Sequence, residues 1–208
     1  MKSNQPMSCK GAFIWSGEKK CQEAVIPFGF TEIGENAFEE CSSITNITIP
    51  NSVTKIGKNA FLLCTGLSKI VIPNSVTEIG ENAFSYCYSL VNITISNSVT
   101  KIGDFTFIRC TSLADITIPN NVTKIGSSAF RECSLLTNII IPDGVTEIGE
   151  NAFEECSSLT NIIIPNSVTK ICENAFCKCS SLKDITISNS VTEIGYKVFE
   201  ECSSLQIL

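Results

Sequence analysis

Apolar residues recur along this chain with a period of 23 residues. The unit from Pro142 to Ile164, PDGVTEIGENAFEECSSLTNIII, is in phase with seven others, which begin at Pro27, Pro50, Pro73, Ser96, Pro119, Pro165 and Ser188. Counted from the first residue of a unit, positions 4, 7, 11, 12, 15, 18, 21 and 23 are apolar with few exceptions. A fixed period in the twenties is typical of a solenoid, because one unit buries its apolar side only by stacking on the next.

The pattern inside a unit predicts short strands and a short helix. Leu67 to Ile72 alternates inward and outward side chains, which predicts a strand that the following Pro ends. Val-Thr-x-Ile, at positions 4 to 7, predicts a second extended segment, and Gly at position 8 predicts a tight bend. The apolar residues of Ala60–Leu67 are spaced one, three and three apart, which predicts one or two helical turns capped by Asn59.

Stacking such units predicts a parallel strand ladder with a spacing of about 4.8 Å. The Phe at position 12 of every unit is then expected to form an aromatic stack along the core. Residues 1–26 form a degenerate first unit, in which Trp15 and Phe13 are expected to cover the open end of the stack. The chain therefore divides into an N-terminal cap, residues 1–26, and a solenoid of eight units, residues 27–208, the last one incomplete.

Eight of the twelve cysteines occupy position 15 of a unit: Cys41, Cys64, Cys87, Cys110, Cys133, Cys156, Cys179 and Cys202. A cysteine repeated once per turn predicts a ladder of reduced, buried thiols in preference to disulfides. The seventh unit adds Cys172 and Cys177. A plain thiol pair or a redox-sensitive site is favoured there over a metal site, because zinc needs about four ligands and Cys179 belongs to the buried ladder.

The composition argues against several functions. The net charge is −6 and the isoelectric point about 4.8, which argues against nucleic acid and anionic membrane as partners. The absence of His removes His-based acid–base catalysis, His-activated nucleophiles and imidazole metal ligands. No carboxylate pair, phosphate-binding loop or nucleophile arrangement stands out. We therefore predict no catalytic residue, cofactor or metal, and we do not expect an enzyme.

The repeated pattern I-P-N-S-V-T-x-I-G-x-N-A-F-x-x-C-x-S-L-x-x-I-x, which covers residues 27–208, resembles the BspA-like leucine-rich repeat proteins of anaerobic bacteria and parasitic protists. The resemblance implies an α/β solenoid, a curved right-handed coil with a parallel β-ladder, short helices and eight 23-residue repeats. It also implies a cell-surface protein that binds host or matrix proteins. The N-terminus shows no signal-peptide core and no segment could span a bilayer, which by itself favours a cytoplasmic protein without membrane insertion. The sequence therefore leaves the location open between the cell surface and the cytoplasm.

Binding is expected at outward positions that differ between units, because the inward positions only set the shape of the coil. The outward strand positions are expected to line a concave surface: Lys69, Val71, Asn92, Thr94, Asp115, Thr117, Asn138 and Ile140. A second candidate is an exposed patch on the side of three adjacent units: Leu62, Leu63, Tyr86, Tyr88, Phe105, Ile108 and Arg109. Exposed apolar patches with aromatic residues and Arg are typical of contact sites. Changing Leu63 and Tyr86 to Glu is therefore expected to abolish self-association or partner binding.

A third candidate is the edge of the last unit, formed by Phe199, Leu205, Ile207 and Leu208. An open last turn exposes a strand edge and core side chains, so we expect it to pack against another chain and give a homo-oligomer. Together these features predict a non-enzymatic protein-binding module, with adhesion as the role that the resemblance implies. An intracellular scaffold or regulatory subunit, and an array without a natural ligand, remain alternatives.

Overall fold

The computed structural model describes residues 22–206, which form fourteen short strands and no helix. The strands are β1 (Glu23–Val25), β2 (Glu32–Ile33), β3 (Asn46–Thr48), β4 (Lys55–Ile56), β5 (Lys69–Val71), β6 (Glu78–Ile79), β7 (Asn92–Thr94), β8 (Lys101–Ile102), β9 (Lys124–Ile125), β10 (Glu147–Ile148), β11 (Asn161–Ile164), β12 (Lys170–Ile171), β13 (Asp184–Ile187) and β14 (Glu193–Ile194).

These strands form four parallel sheets along two rows, which we call ladders, and paired residues occupy equivalent positions in successive units. Pairing is interrupted in the first ladder after β7 and in the second between β6 and β8. The first ladder contains β1, β3, β5 and β7, then β11 and β13. Single bridges from Asp115 to Asn138 and from Asn138 to Asn161 continue it up to β11. The second ladder contains β2, β4 and β6, then β8, β9, β10, β12 and β14. Both ladders follow from the extended segments that the sequence predicts.

Between Glu23 and Asp184 the described chain makes about seven turns, so the prediction of eight repeats was wrong by one. A turn is complete only when its strand pairs with the strand one unit earlier. The last described pair of the first ladder joins β11 to β13, and the next strand position would fall beyond residue 206.

The core is a continuous column of apolar side chains, and its centre is the predicted aromatic stack. The rings of consecutive units lie 5.1–5.8 Å apart between centroids and within 15° of parallel. The stack comprises Phe38, Phe61, Phe84, Phe107, Phe130, Phe153, Phe176 and Phe199. Ile from both ladders and the Val at position 4 of the inner units belong to the same core and are buried throughout the inner turns.

The segment predicted to be a helix is a series of turns, so the helical part of the predicted fold class was wrong. Asn59 and Leu63 adopt left-handed conformations, with φ of +54° and +58°. Their N–H groups and that of Phe61 donate to carbonyls of the next unit at 2.8–2.9 Å. An α-helix requires each N–H to bond the carbonyl four residues earlier, and here every second N–H bonds another turn. Asn59 is therefore a left-handed turn residue, a role that Asn tolerates, and not a helix cap.

The glycines at position 8 allow neighbouring turns to approach closely. A Cβ added to Gly149 would lie 2.6 Å from the carbonyl carbon of Gly126, which is closer than non-bonded atoms approach. The glycines at position 8 are not required for a positive φ, because none of those described adopts one. The one described glycine with a left-handed conformation is Gly29, at position 3. Cys172 replaces this glycine in the seventh unit and keeps the inter-turn bond, from its N–H to the Ile148 carbonyl at 2.9 Å.

Candidate binding surfaces

The side chains predicted for the concave surface lie on the solvent side of the first ladder, which we call the ladder face. In β5, Ile70 is buried between the exposed Lys69 and Val71, and β7 and β11 alternate in the same way. The remaining predicted residues of this surface are also exposed: Asn92, Thr94, Asp115, Thr117, Asn138 and Ile140. The ladder pairs the backbone groups of these strands, so their side chains are what a ligand meets.

The first half of the ladder face contains a groove of about 1020 Å³, which we call the polar groove. It extends over β3, β5, β7 and the segment from Asp115 to Thr117. Its outward side chains are Asn46, Thr48, Asn51, Lys69, Val71, Asn74, Asn92, Thr94, Asn97, Asp115 and Thr117. Asn51, Asn74 and Asn97, which follow the strands at position 2, were not among the predicted site residues. Their repetition three residues after each strand was the signal that could have placed them beside it.

The second half of the ladder face has a different character. Ile140 and Ile163 are 80% and 69% exposed and occupy the same position in adjacent turns. The bridge between Asn138 and Asn161 fixes their register, so the two side chains stand side by side; we call them the isoleucine pair.

On the side of the coil, the structure brings together part of the predicted second patch. The Arg109 guanidinium lies 5.4 Å from the centre of the Tyr86 ring, and Tyr86 meets Tyr88 edge-on at 6.0 Å. Arg109 Nε also donates to Glu132 Oε2 at 2.8 Å. This hydrogen bond first, and the charge of Glu132 second, raise the pKa of Arg109.

The expectation that all seven residues form one exposed patch was wrong. Ile108 is only 9% exposed, and Leu62 and Leu63 are half-buried. The side chain at position 13 points toward the next unit, because the residues at positions 10 and 14 adopt left-handed backbone conformations. Ser85, at the same position, shows this by donating from Oγ to the Phe105 carbonyl at 2.6 Å. Tyr88 and Phe105 are exposed, but Phe105 belongs to the position 10 row.

At the last turn, Phe199 is half-buried and stacks on Phe176 at 5.8 Å, and Leu205 is half-buried. Ile207 and Leu208 lie outside the described residues, as do Phe13 and Trp15 of the predicted cap. Oligomerisation through this edge therefore stays a prediction.

The cysteine ladder is present from Cys64 onward. Each thiol donates to the Phe carbonyl 26 residues earlier, as Cys64 does to Phe38 at 3.0 Å and Cys202 to Phe176 at 3.1 Å. Burial raises the pKa of Cys64 to about 12, because the thiolate would lose its hydration. Cys41 differs from the prediction: it is disulfide-bonded, and the other described cysteines are all free.

Cys172 and Cys177 do not form a metal site with their neighbours. Within residues 22–206 no group of three or more His, Cys, Asp or Glu side chains is placed to hold a metal ion. Cys172 is half-buried, and its Sγ lies 3.8 Å from Glu147 Oε1. Burial first, and the Glu147 carboxylate second, raise the pKa of Cys172, so its thiol is mostly protonated at neutral pH. The redox-sensitive site stays a hypothesis.

Comparison with known families gives a match to the BspA type leucine-rich repeat region. Six copies of this repeat region match, over residues 11–136 and 100–208. No curated protein matches the chain. No described residues form a helix long and apolar enough to cross a membrane.

Solved structures show the same relationship. A leucine-rich cell surface protein from Faecalibacterium prausnitzii is 33% identical with a TM-score of 0.59, over 89% of this chain and 58% of that one. The T. pallidum leucine-rich repeat protein is 26% identical with a TM-score of 0.70, over 90% of this chain and 79% of that one. A Bacteroides ovatus leucine-rich repeat protein is 29% identical with a TM-score of 0.54, over 89% and 66%.

The chain thus spans little more than half the length of the F. prausnitzii protein. The family match, by contrast, extends over nearly the whole chain, and the stacked 23-residue turns agree with it. This chain belongs to the BspA-type leucine-rich repeat family.

Proposed function

We propose that this protein is a non-enzymatic binding module that holds a protein partner on the ladder face, in the service of adhesion to host or matrix proteins. Family membership supports a binding or surface role, and the F. prausnitzii relative is described as a cell surface protein. No catalytic family is indicated by the comparisons.

The observation that carries the proposal is the isoleucine pair. Most outward positions of the ladder face are Asn, Thr or charged, whereas Ile140 and Ile163 place two large apolar side chains together in solvent. Burying one such side chain stabilises a complex by about 1.5–3 kcal/mol. The core positions repeat in every turn, so a partner distinguishes one turn from another only through outward side chains of this kind.

The test is capture of partners by the immobilised protein, by one double variant and by one single variant. Ile140→Asn with Ile163→Asn is expected to lower binding to matrix proteins or intact host cells at least about tenfold, because the apolar contact is lost. Leu135→Asn is the matched control, since Leu135 is exposed but lies at position 17, outside the ladder face. Equal capture by the wild type and the isoleucine variant would contradict the proposal.

A second candidate, an intracellular scaffold or regulatory subunit, is favoured by the nine free thiols of the described chain, whereas the Cys41 disulfide counts against it. Free cysteines are typical of reducing compartments. Labelling of intact cells with a membrane-impermeant reagent separates the two: labelled protein supports adhesion, and protection until the cells are lysed supports the scaffold.

A further inference from the structure

The polar groove differs from the isoleucine pair in chemistry, although both lie on the ladder face. Its exposed side chains are mainly amides and hydroxyls, and its two charged groups, Lys69 and Asp115, are of opposite sign. Its apolar lining is buried except for Val71, which is exposed, and Pro73, which is half-buried. A groove of this kind suits a neutral ligand that both donates and accepts hydrogen bonds, because each Asn amide does both.

An exposed aromatic side chain occupies the turn that precedes the first turn lining this groove. Phe28 is 85% exposed, the largest exposed fraction among the large apolar side chains of the described chain. It occupies position 2, where the next three units place Asn51, Asn74 and Asn97 in the groove. The Gly29 N–H donates to Ser52 Oγ at 3.2 Å, which fixes Phe28 one turn before Asn51 in the same row.

The recurring ways of binding a peptide do not fit this groove. Strand addition needs an open sheet edge, but β3 and β5 are each paired on both sides, and β7 is followed by the Asp115–Thr117 segment of the next turn, which lines the same groove. An amphipathic helix needs several apolar anchors, and the groove offers only Val71 and the half-buried Pro73. An acidic or phosphorylated segment needs a cluster of cationic side chains, and the groove offers only Lys69.

We infer that the polar groove binds a neutral oligosaccharide, with Phe28 as the surface on which a sugar ring stacks and the Asn row as hydrogen-bonding partners of its hydroxyls. The inference rests on the proposed function: the partner is a glycoprotein, its polypeptide contacts the isoleucine pair, and its glycan lies in the groove.

Calorimetry and array binding with neutral oligosaccharides test this directly. The probes are linear glucose, mannose and galactose oligomers, with heparin and an acidic peptide as charged comparisons. At least one neutral oligomer is expected to bind. Phe28→Ala is expected to weaken that binding at least about tenfold and Asn74→Ala about fivefold, in line with the loss of one stacking contact or one hydrogen bond.

Two matched controls sit outside the groove. Tyr196→Ala removes an aromatic side chain that is 69% exposed, and Asn189→Ala removes the position 2 amide of the last unit. Both are expected to leave oligosaccharide binding unchanged. No binding of any neutral oligomer, binding insensitive to Phe28→Ala and Asn74→Ala, or binding of heparin or the acidic peptide alone overturns the inference.

The isoleucine variant distinguishes this inference from the proposed function. Ile140→Asn with Ile163→Asn is expected to retain oligosaccharide binding while losing capture of the protein partner. If capture depends on the isoleucine pair and no oligosaccharide binds, the groove inference alone fails. If an oligosaccharide binds and the isoleucine variant captures partners normally, the proposed protein contact alone fails.

Discussion

At the scale of single residues, the cysteine at position 15 stabilises the coil in two ways, by packing in the core and by donating a hydrogen bond. Its apolar character suits the core, and its S–H satisfies a carbonyl of the preceding turn, as Cys110 does with Phe84 at 3.2 Å. The same Phe84 carbonyl accepts the Cys87 N–H, so the thiol uses its second lone pair. The burial of the thiol that permits this hydrogen bond also makes its ionisation costly.

This cost predicts a stability that falls in alkali. Burial raises the pKa of Cys110 and of Cys156 from 9.0 to about 12. Above pH 9 the unfolded chain loses these protons while the folded chain keeps them, so the unfolded state binds fewer protons and stability falls as pH rises toward 12. Each such thiol contributes about 1.4 kcal/mol per pH unit in that window.

Urea unfolding at pH 8.5 and pH 10.5 measures the effect. Cys110→Ala is expected to be less stable than the wild type at pH 8.5 but to lose less stability between the two values, because one buried thiol no longer titrates. An identical loss of unfolding free energy in both proteins would show that the buried thiols do not cause the fall in stability at high pH.

At the scale of elements, the segment from position 9 to position 16 shows why local spacing misled the prediction. Apolar residues spaced one, three and three apart fit a helical face, but they also fit turns with left-handed residues at positions 10 and 14. Hydrogen bonds between turns select the second arrangement, because every stacked unit presents carbonyls at the matching height. The glycines at position 8 make that close stacking possible.

Two alanine substitutions test the stacking argument. Gly149→Ala is expected to destabilise the protein by about 1–3 kcal/mol, because the new Cβ would stand 2.6–2.8 Å from the Gly126 and Ser127 backbone. Gly103→Ala is the control in another turn, where the nearest atom, Thr106 Oγ1, is 3.3 Å away. Its expected cost in the free energy of unfolding is below about 1 kcal/mol. Equal costs at both sites would refute close turn packing as the reason for the glycine.

At the scale of the whole molecule, the turns form one column whose inner and outer layers differ. Phe130 is fully buried between rings on both sides, at 5.4 and 5.3 Å. Phe199 has one described ring neighbour, Phe176, and is half-buried. Because each turn contacts only its neighbours, the cost of removing a ring depends on where in the column it lies.

Phe130→Ala is expected to lower the free energy of unfolding by about 3–5 kcal/mol, as large cavities in packed cores do. Phe199→Ala is expected to cost clearly less, because its ring buries less surface. Chemical denaturation of both variants checks the difference. A larger loss at Phe199 would indicate that the last turn is as tightly covered as the middle ones.

The 23-residue period by itself determined the parallel ladders, the inward positions, the phenylalanine stack and the cysteine ladder. The period could determine these features because each of them requires only that equivalent residues, 23 positions apart, lie next to each other in successive turns. Tertiary structure decided the rest: turns replaced the helix at Asn59–Leu63 because bonds between turns outcompeted bonds within the segment. It buried Ile108, which sequence spacing had placed outside, and it brought Asn51, Asn74 and Asn97 beside the strands to form the polar groove. Exposure and grooves depend on how successive turns are oriented, and stacking sets that orientation.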